Sequence, residues 1–209
     1  DDPDTYPLVL RPVDKRENYI KRCVAIAGDT LEIREGRVFI NGEPGFVPPF
    51  SQITYEVETS GQPLNAEVMK DEFNLDIENP EEIAVLSGNK YIMLLTAEAA
   101  EKMKTSGLAK SITPQLIRPE QVDPRLWGQV CYPYDSLHKW TIDAFGPIWV
   151  PAKGATLTLT QQNYSLYERA IRVYEGNTLE QQNGQFILNG QPATQYTFKM
   201  NYYWMMGDN

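Results

Sequence analysis

In the first hundred residues, apolar positions alternate with polar ones over short stretches, the period of half-buried strands rather than of helices. Tyr19 to Ile26 reads as a strand ended by the turn Gly28-Asp29. Leu31 to Ile33 and Arg37 to Ile40 form a hairpin around Glu35-Gly36. Asn41-Gly42 closes it, because those two residues accept the left-handed backbone of a tight turn. Phe50 to Glu58 alternates like a strand, and Glu82 to Leu86 with Lys90 to Leu95 flank Ser87-Gly88-Asn89 as a second hairpin. Thr96 is placed to cap a helix over Ala97 to Ser106, which Gly107 would stop. Farther on, Asn163 can cap a helix reaching Tyr174, with Leu166, Tyr167, Ala170, Ile171 and Tyr174 at helical spacing and Gly176 as its stop. That stripe reads as core packing rather than a cofactor contact.

One segment occurs twice. GDTLEIREGRVFINGEP at residues 28–44 returns as GNTLEQQNGQFILNGQP at residues 176–192, with 8 of 17 positions identical. Matching Gly and Asn-Gly positions demand matching backbone dihedrals, so both copies are expected to form the same hairpin. Between Pro48 and about Lys139 the texture changes, and Pro114, Pro119, Pro124 and Pro133 break up any long helix there. Residues 49–139 are therefore expected to be an inserted lobe. The fold expected is mainly β, an antiparallel β-sheet or barrel-like core with an inserted β-rich lobe and about two helices.

Composition narrows the chemistry. The net charge of the 209 residues is −9 and the pI about 4.7, which argues against a nucleic-acid partner, since phosphates are neutralised by clustered Lys and Arg. Apolar runs such as Tyr91 to Leu95 and Tyr202 to Met206 fall far short of the roughly 20 residues of a spanning helix. Residues 1–10 lack the basic start and apolar centre of a secretion signal. With two cysteines, Cys23 and Cys131, and one histidine, His138, there is no CxxC, HExxH or His cluster, so neither metal nor cofactor is expected. A Ser-His-Asp triad would rest on His138 alone, which reads better as a solvated or hydrogen-bonded loop residue. Cys23 shares a strand face with Lys21 and reads as a small buried space-filler rather than a thiolate. A Cys23–Cys131 disulfide stays open, because sequence does not fix the distance between them.

The chemistry that remains sits in Tyr19-Ile20-Lys21-Arg22-Cys23-Val24. A lysine among apolar strand residues is a cation that burial would disfavour, and a desolvated lysine can act as a base near neutral pH. This run, with Gly28-Asp29-Thr30 and the terminal Met205-Met206-Gly207-Asp208-Asn209, resembles the two conserved boxes of bacterial type I signal peptidases, serine proteases with a Ser-Lys dyad. Phe145 to Gly154 is similar to the segment that leads to the family's last box, and the order along the chain agrees.

The resemblance implies roles. Lys21 would be the general base; Asn18, Tyr19 and Ile20 would hold an extended signal peptide by strand addition; Arg22 and Asp208 would form a supporting ion pair. It implies a catalytic-core-like unit of residues 1–48 plus 140–209, with a second insertion at about 155–199. The family's nucleophilic serine, in an S-M-x-P box, and its membrane anchor are expected upstream of residue 1, and Ala27 stands where a proline is usual. The implied setting is the bacterial inner membrane, with the catalytic domain on the extracytoplasmic, periplasmic face and signal peptides of exported preproteins as substrates. The 209 residues alone are expected to be inactive, with Lys21 exposed for want of the serine-bearing segment. Two other readings compete: another Ser-Lys peptidase such as a self-cleaving repressor, and a catalytically inactive β-rich envelope binding module.

Overall fold

The computed structural model describes residues 20–207. In chain order they form β1 (Arg22–Ala25), β2 (Thr30–Arg34), β3 (Arg37–Ile40), β4 (Glu43–Pro44), β5 (Gln52–Thr59), α1 (Ala66–Phe73), β6 (Ile83–Ser87), β7 (Lys90–Thr96), α2 (Ala97–Thr105) and β8 (Ala109–Pro114). There follow β9 (Phe145–Trp149), β10 (Thr156–Thr158), α3 (Gln161–Arg169), β11 (Leu179–Gln182), β12 (Gln185–Leu188), β13 (Gln191–Ala193), β14 (Gln195–Thr197) and β15 (Trp204–Met206). The fold is mainly β, and every strand pair among the described residues is antiparallel. Among the described residues the sheets stay separate, ordered β4-β3-β2-β9, β6-β7-β5-β8 and β11-β12-β13 with the pairs β1-β15 and β10-β14, and do not close into a barrel.

The two copies of the repeat fold alike. Leu31 faces Ile40 and Arg34 faces Arg37 across the first hairpin, as Leu179 faces Leu188 and Gln182 faces Gln185 across the second. The Thr30 amide donates to Asn41 Oδ1 at 2.9 Å, and the Thr178 amide to Asn189 Oδ1 at 2.9 Å. Asn41 and Asn189 sit at φ +54° and +51°, followed by Gly42 at +85° and Gly190 at +79°. Shared turn chemistry has set a shared register.

Among the described residues three apolar clusters hold the chain together. In the first, which falls within the expected lobe of residues 49–139, strand alternation turns Tyr55, Val57, Met93 and Leu95 to one face, onto which α1 lays Met69 and Phe73 and α2 lays Ala99, Ala100 and Met103. A second cluster joins Ala25, Leu31, Ile33, Phe145, Ile148 and Val150, with Cys131, Tyr132, Trp140, Trp204 and Met206 packed on it. The third gathers Leu159, Tyr167, Ile171, Leu179, Tyr196 and Phe198, and shares Leu166 and Tyr202 with the second. At the joint of β9 with β2, Gly146 has φ +88°, and a Cβ there would stand 2.7 Å from the Leu31 carbonyl oxygen. The register slips at this point, between the Leu31–Ile148 and Ile33–Phe145 pairs, and only glycine allows so close an approach.

Helices depart from the sequence expectation in three places. Thr96 does cap α2, its hydroxyl accepting from the Ala99 amide at 3.1 Å, and Gly107 follows at φ +74°. α3, however, is capped by Thr160, and Asn163 is its third residue, returning a side-chain bond to the Thr160 amide at 2.9 Å. This is a reciprocal capping arrangement, so the helix starts earlier than a cap at Asn163 implies. It continues as a π-helical turn over Ala170–Tyr174. α1, capped by Asn65, makes three α-helices among the described residues, where about two were expected.

Candidate active site

The two segments that resemble family boxes come together at β1 and β15, where Arg22 lies opposite Met206, Cys23 opposite Met205 and Ala25 opposite Trp204. The register slips between Cys23 and Ala25, and Val24 and Ala25, though adjacent, both contact the core. That irregularity interrupts the alternation on which the sequence reading of this strand depended. The strand is also shorter than Tyr19 to Ile26, and Ile26 lies exposed beyond its end.

Of the site residues implied by the resemblance, three are described. Ile20 is 94% exposed. Lys21 is exposed immediately before β1. The Arg22 guanidinium stands over the Phe46 ring, 5.3 Å from its centroid, a cation–π contact between β1 and the loop after β4. Asn18, Tyr19 and Asp208 lie outside the described residues, and with Asp208 the expected ion pair to Arg22.

Cys23 is exposed rather than a buried space-filler, because the slipped register keeps it out of the core while Ala25 is buried. Both thiols are free, which removes the disulfide alternative. Cys131 donates to the Trp140 carbonyl at 3.3 Å, and burial pushes its thiol pKa up.

His138 is hydrogen-bonded and largely buried, with a serine and an aspartate close by, but not as a triad. Asp135 sits in the middle: His138 Nδ1 lies 2.9 Å from Asp135 Oδ2, and the Ser165 hydroxyl donates to that same oxygen. In a triad the imidazole stands between carboxylate and hydroxyl and takes the proton from the latter; here the carboxylate occupies that place. Burial alone would raise the Asp135 pKa, but the His138 amide, the Ser165 hydroxyl and the His138 ring outweigh it and hold it at about 2. So weak a base leaves Ser165 unactivated. With Tyr132, whose hydroxyl bonds the Leu166 carbonyl, Asp135 fastens the segment before β9 to α3.

A second carboxylate, Glu175, was not singled out by sequence reasoning. It follows the π-helical turn and accepts from the Tyr196 and Tyr202 hydroxyls and from the Lys199 and Met200 amides. The repeat held a signal for it, since the matching position of the first copy is Ala27. No group of three or more His, Cys, Asp or Glu side chains among the described residues is arranged to hold a metal ion.

No curated protein and no solved structure matches this chain. The family model described as signal peptidase, peptidase S26, matches residues 2–94, a span that contains Tyr19–Val24, the first hairpin and the chain as far as β7. Over residues 2–94, then, the chain is signal-peptidase-like, and for that part the implied family is a family of serine peptidases.

Proposed function

We propose that this chain is the lysine-bearing part of a bacterial type I signal peptidase, which removes signal peptides from exported preproteins by Ser-Lys acyl-enzyme hydrolysis. The observation that carries the reading is the pairing of β1 with β15, since two segments about 180 residues apart in sequence, each resembling one family box, lie side by side. In this reading Lys21 Nζ takes the proton from a serine hydroxyl as its oxygen bonds to the scissile carbonyl carbon. The same proton then passes to the leaving amine as the acyl-enzyme forms, and water releases the acyl group in a second round. Asn18, Tyr19 and Ile20 would hold the peptide as an added strand, and Arg22 with Asp208 would brace the two boxes.

No S-M-x-P sequence occurs in the 209 residues, so the nucleophile is assigned to sequence outside them, together with a membrane anchor. No helix among the described residues is long and apolar enough to cross a membrane. The enzyme would work on the extracytoplasmic face of the inner membrane.

The test is to join this chain to the sequence encoded upstream of it and to assay an extended peptide with an A-x-A cleavage site. Lys21→Ala and Lys21→Arg should each lower kcat/KM by roughly a thousandfold, because a guanidinium stays protonated and cannot serve as base. Cys23→Ala should keep substantial activity. Full turnover in Lys21→Arg sinks the lysine-base assignment, serine-type turnover by the 209 residues alone sinks the missing-nucleophile assignment, and binding without cleavage favours the inactive-module reading.

A further inference from the structure

The molecule contains its own comparison for Glu175. The two hairpins share register and turn dihedrals, yet where the second has Glu175 before Gly176, the first has Ala27 before Gly28. A hairpin of this kind therefore needs no carboxylate at its entrance. What Glu175 does lies elsewhere: its oxygens accept from the Lys199 amide at 2.9 Å, the Met200 amide at 3.2 Å, the Tyr202 hydroxyl at 3.1 Å and the Tyr196 hydroxyl. All four donors belong to the segment that runs from the second hairpin module into β15.

The neighbouring groups act in the same direction. Asn177, the counterpart of Asp29, donates to the Tyr196 hydroxyl at 2.8 Å, and the Tyr202 hydroxyl also reaches the Ala170 carbonyl of the π-helical turn at 3.3 Å. The Tyr202 amide bonds the Pro151 carbonyl at 3.0 Å, and Trp204 begins β15 two residues later. We propose that Glu175 is a positioning residue through which the second hairpin module fixes β15, and with it the register of β15 on β1, the strand that Lys21 immediately precedes. The coupling stands on geometry alone; its bearing on cleavage rests on the reading given above.

Hydrogen exchange on this 209-residue chain tests the coupling without any need for catalysis. In Glu175→Ala, peptides covering 199–206 and 22–25 should exchange at least tenfold faster, while 179–188 keeps its protection, since the first hairpin forms with Ala27 at the matching position. Glu175→Gln, which retains an acceptor oxygen, should show a smaller acceleration, roughly threefold, in the same peptides, and is the variant to read if Glu175→Ala does not fold. Unchanged exchange over 199–206 in Glu175→Gln overturns the proposal. So does an acceleration in 179–188 equal to that in 199–206, which would make Glu175 a hairpin residue. Loss of peptidase activity in the Lys21 variants has no influence on either outcome.

Discussion

Asp135 illustrates how much one carboxylate can hold. Besides the His138 ring and the Ser165 hydroxyl, it accepts from the Leu137 and His138 amides at 2.9 and 2.8 Å. Its pKa, held at about 2, lies below the ordinary aspartate value of about 3.9. The contribution to stability is thus complete above the ordinary value and is lost as pH falls through about 2. Asp135→Asn should cost about 1–3 kcal/mol in urea denaturation near pH 6, with the gap to the unaltered protein closing as pH approaches 2. A gap of constant size down to that pH would show that charge plays no part. Little of this arrangement was legible beforehand. Lys21 could be singled out because its chemistry lies in its type and its immediate neighbours, whereas Ser165 is 30 residues from Asp135 and only the fold brings them together.

At the scale of elements, what could be read was what the local sequence encodes. Asn-Gly and Glu-Gly pairs specify tight turns by the backbone they tolerate, and both hairpins formed where those pairs stand. α1 is hard to read from the sequence because its large apolar residues are Val68, Met69 and Phe73, too few to set a helical period, and of these only Met69 and Phe73 are buried. The start of α3 was placed late because Thr160 and Asn163 cap one another, and either residue alone has the character of a cap. The equivalence of the hairpins carries its own prediction. Asn41 and Asn189 each accept a threonine amide and each donate onward, to Asp29 Oδ1 at 2.8 Å and to Asn177 Oδ1 at 3.0 Å. Asn41→Ala and Asn189→Ala each remove those bonds and put a Cβ without a compensating side chain into the left-handed region, at a cost of about 1–3 kcal/mol. Denaturant midpoints should fall in both variants. A variant at either site as stable as the parent would show that its copy does not depend on the shared bonding.

Across the whole molecule the three clusters are not equally independent. The lobe cluster is built from β5, β7, α1, α2 and the residues around them, and shares no residue with the other two. The second and third clusters have Leu166 and Tyr202 in common, and the Tyr167 hydroxyl reaches the Trp149 carbonyl at 2.9 Å, from α3 to the end of β9. A cavity opened in the lobe should therefore stay local, while one opened beside β2 should be felt in both remaining clusters. Met93→Ala and Leu31→Ala remove side chains that are 0% exposed, and each should cost about 2–5 kcal/mol where its cluster is concerned. With exchange followed along the chain, Met93→Ala should speed exchange over 52–59 and 90–96 and leave 30–40 and 145–149 as they were. Leu31→Ala should speed exchange over 30–40 and 145–149 and also over 195–198, with the lobe strands unaffected. Acceleration throughout the chain in Met93→Ala would mean that the sheet of β5 to β8 and the paired strands β1 and β15 unfold as one unit, and that the separate cores do not confer separate stabilities.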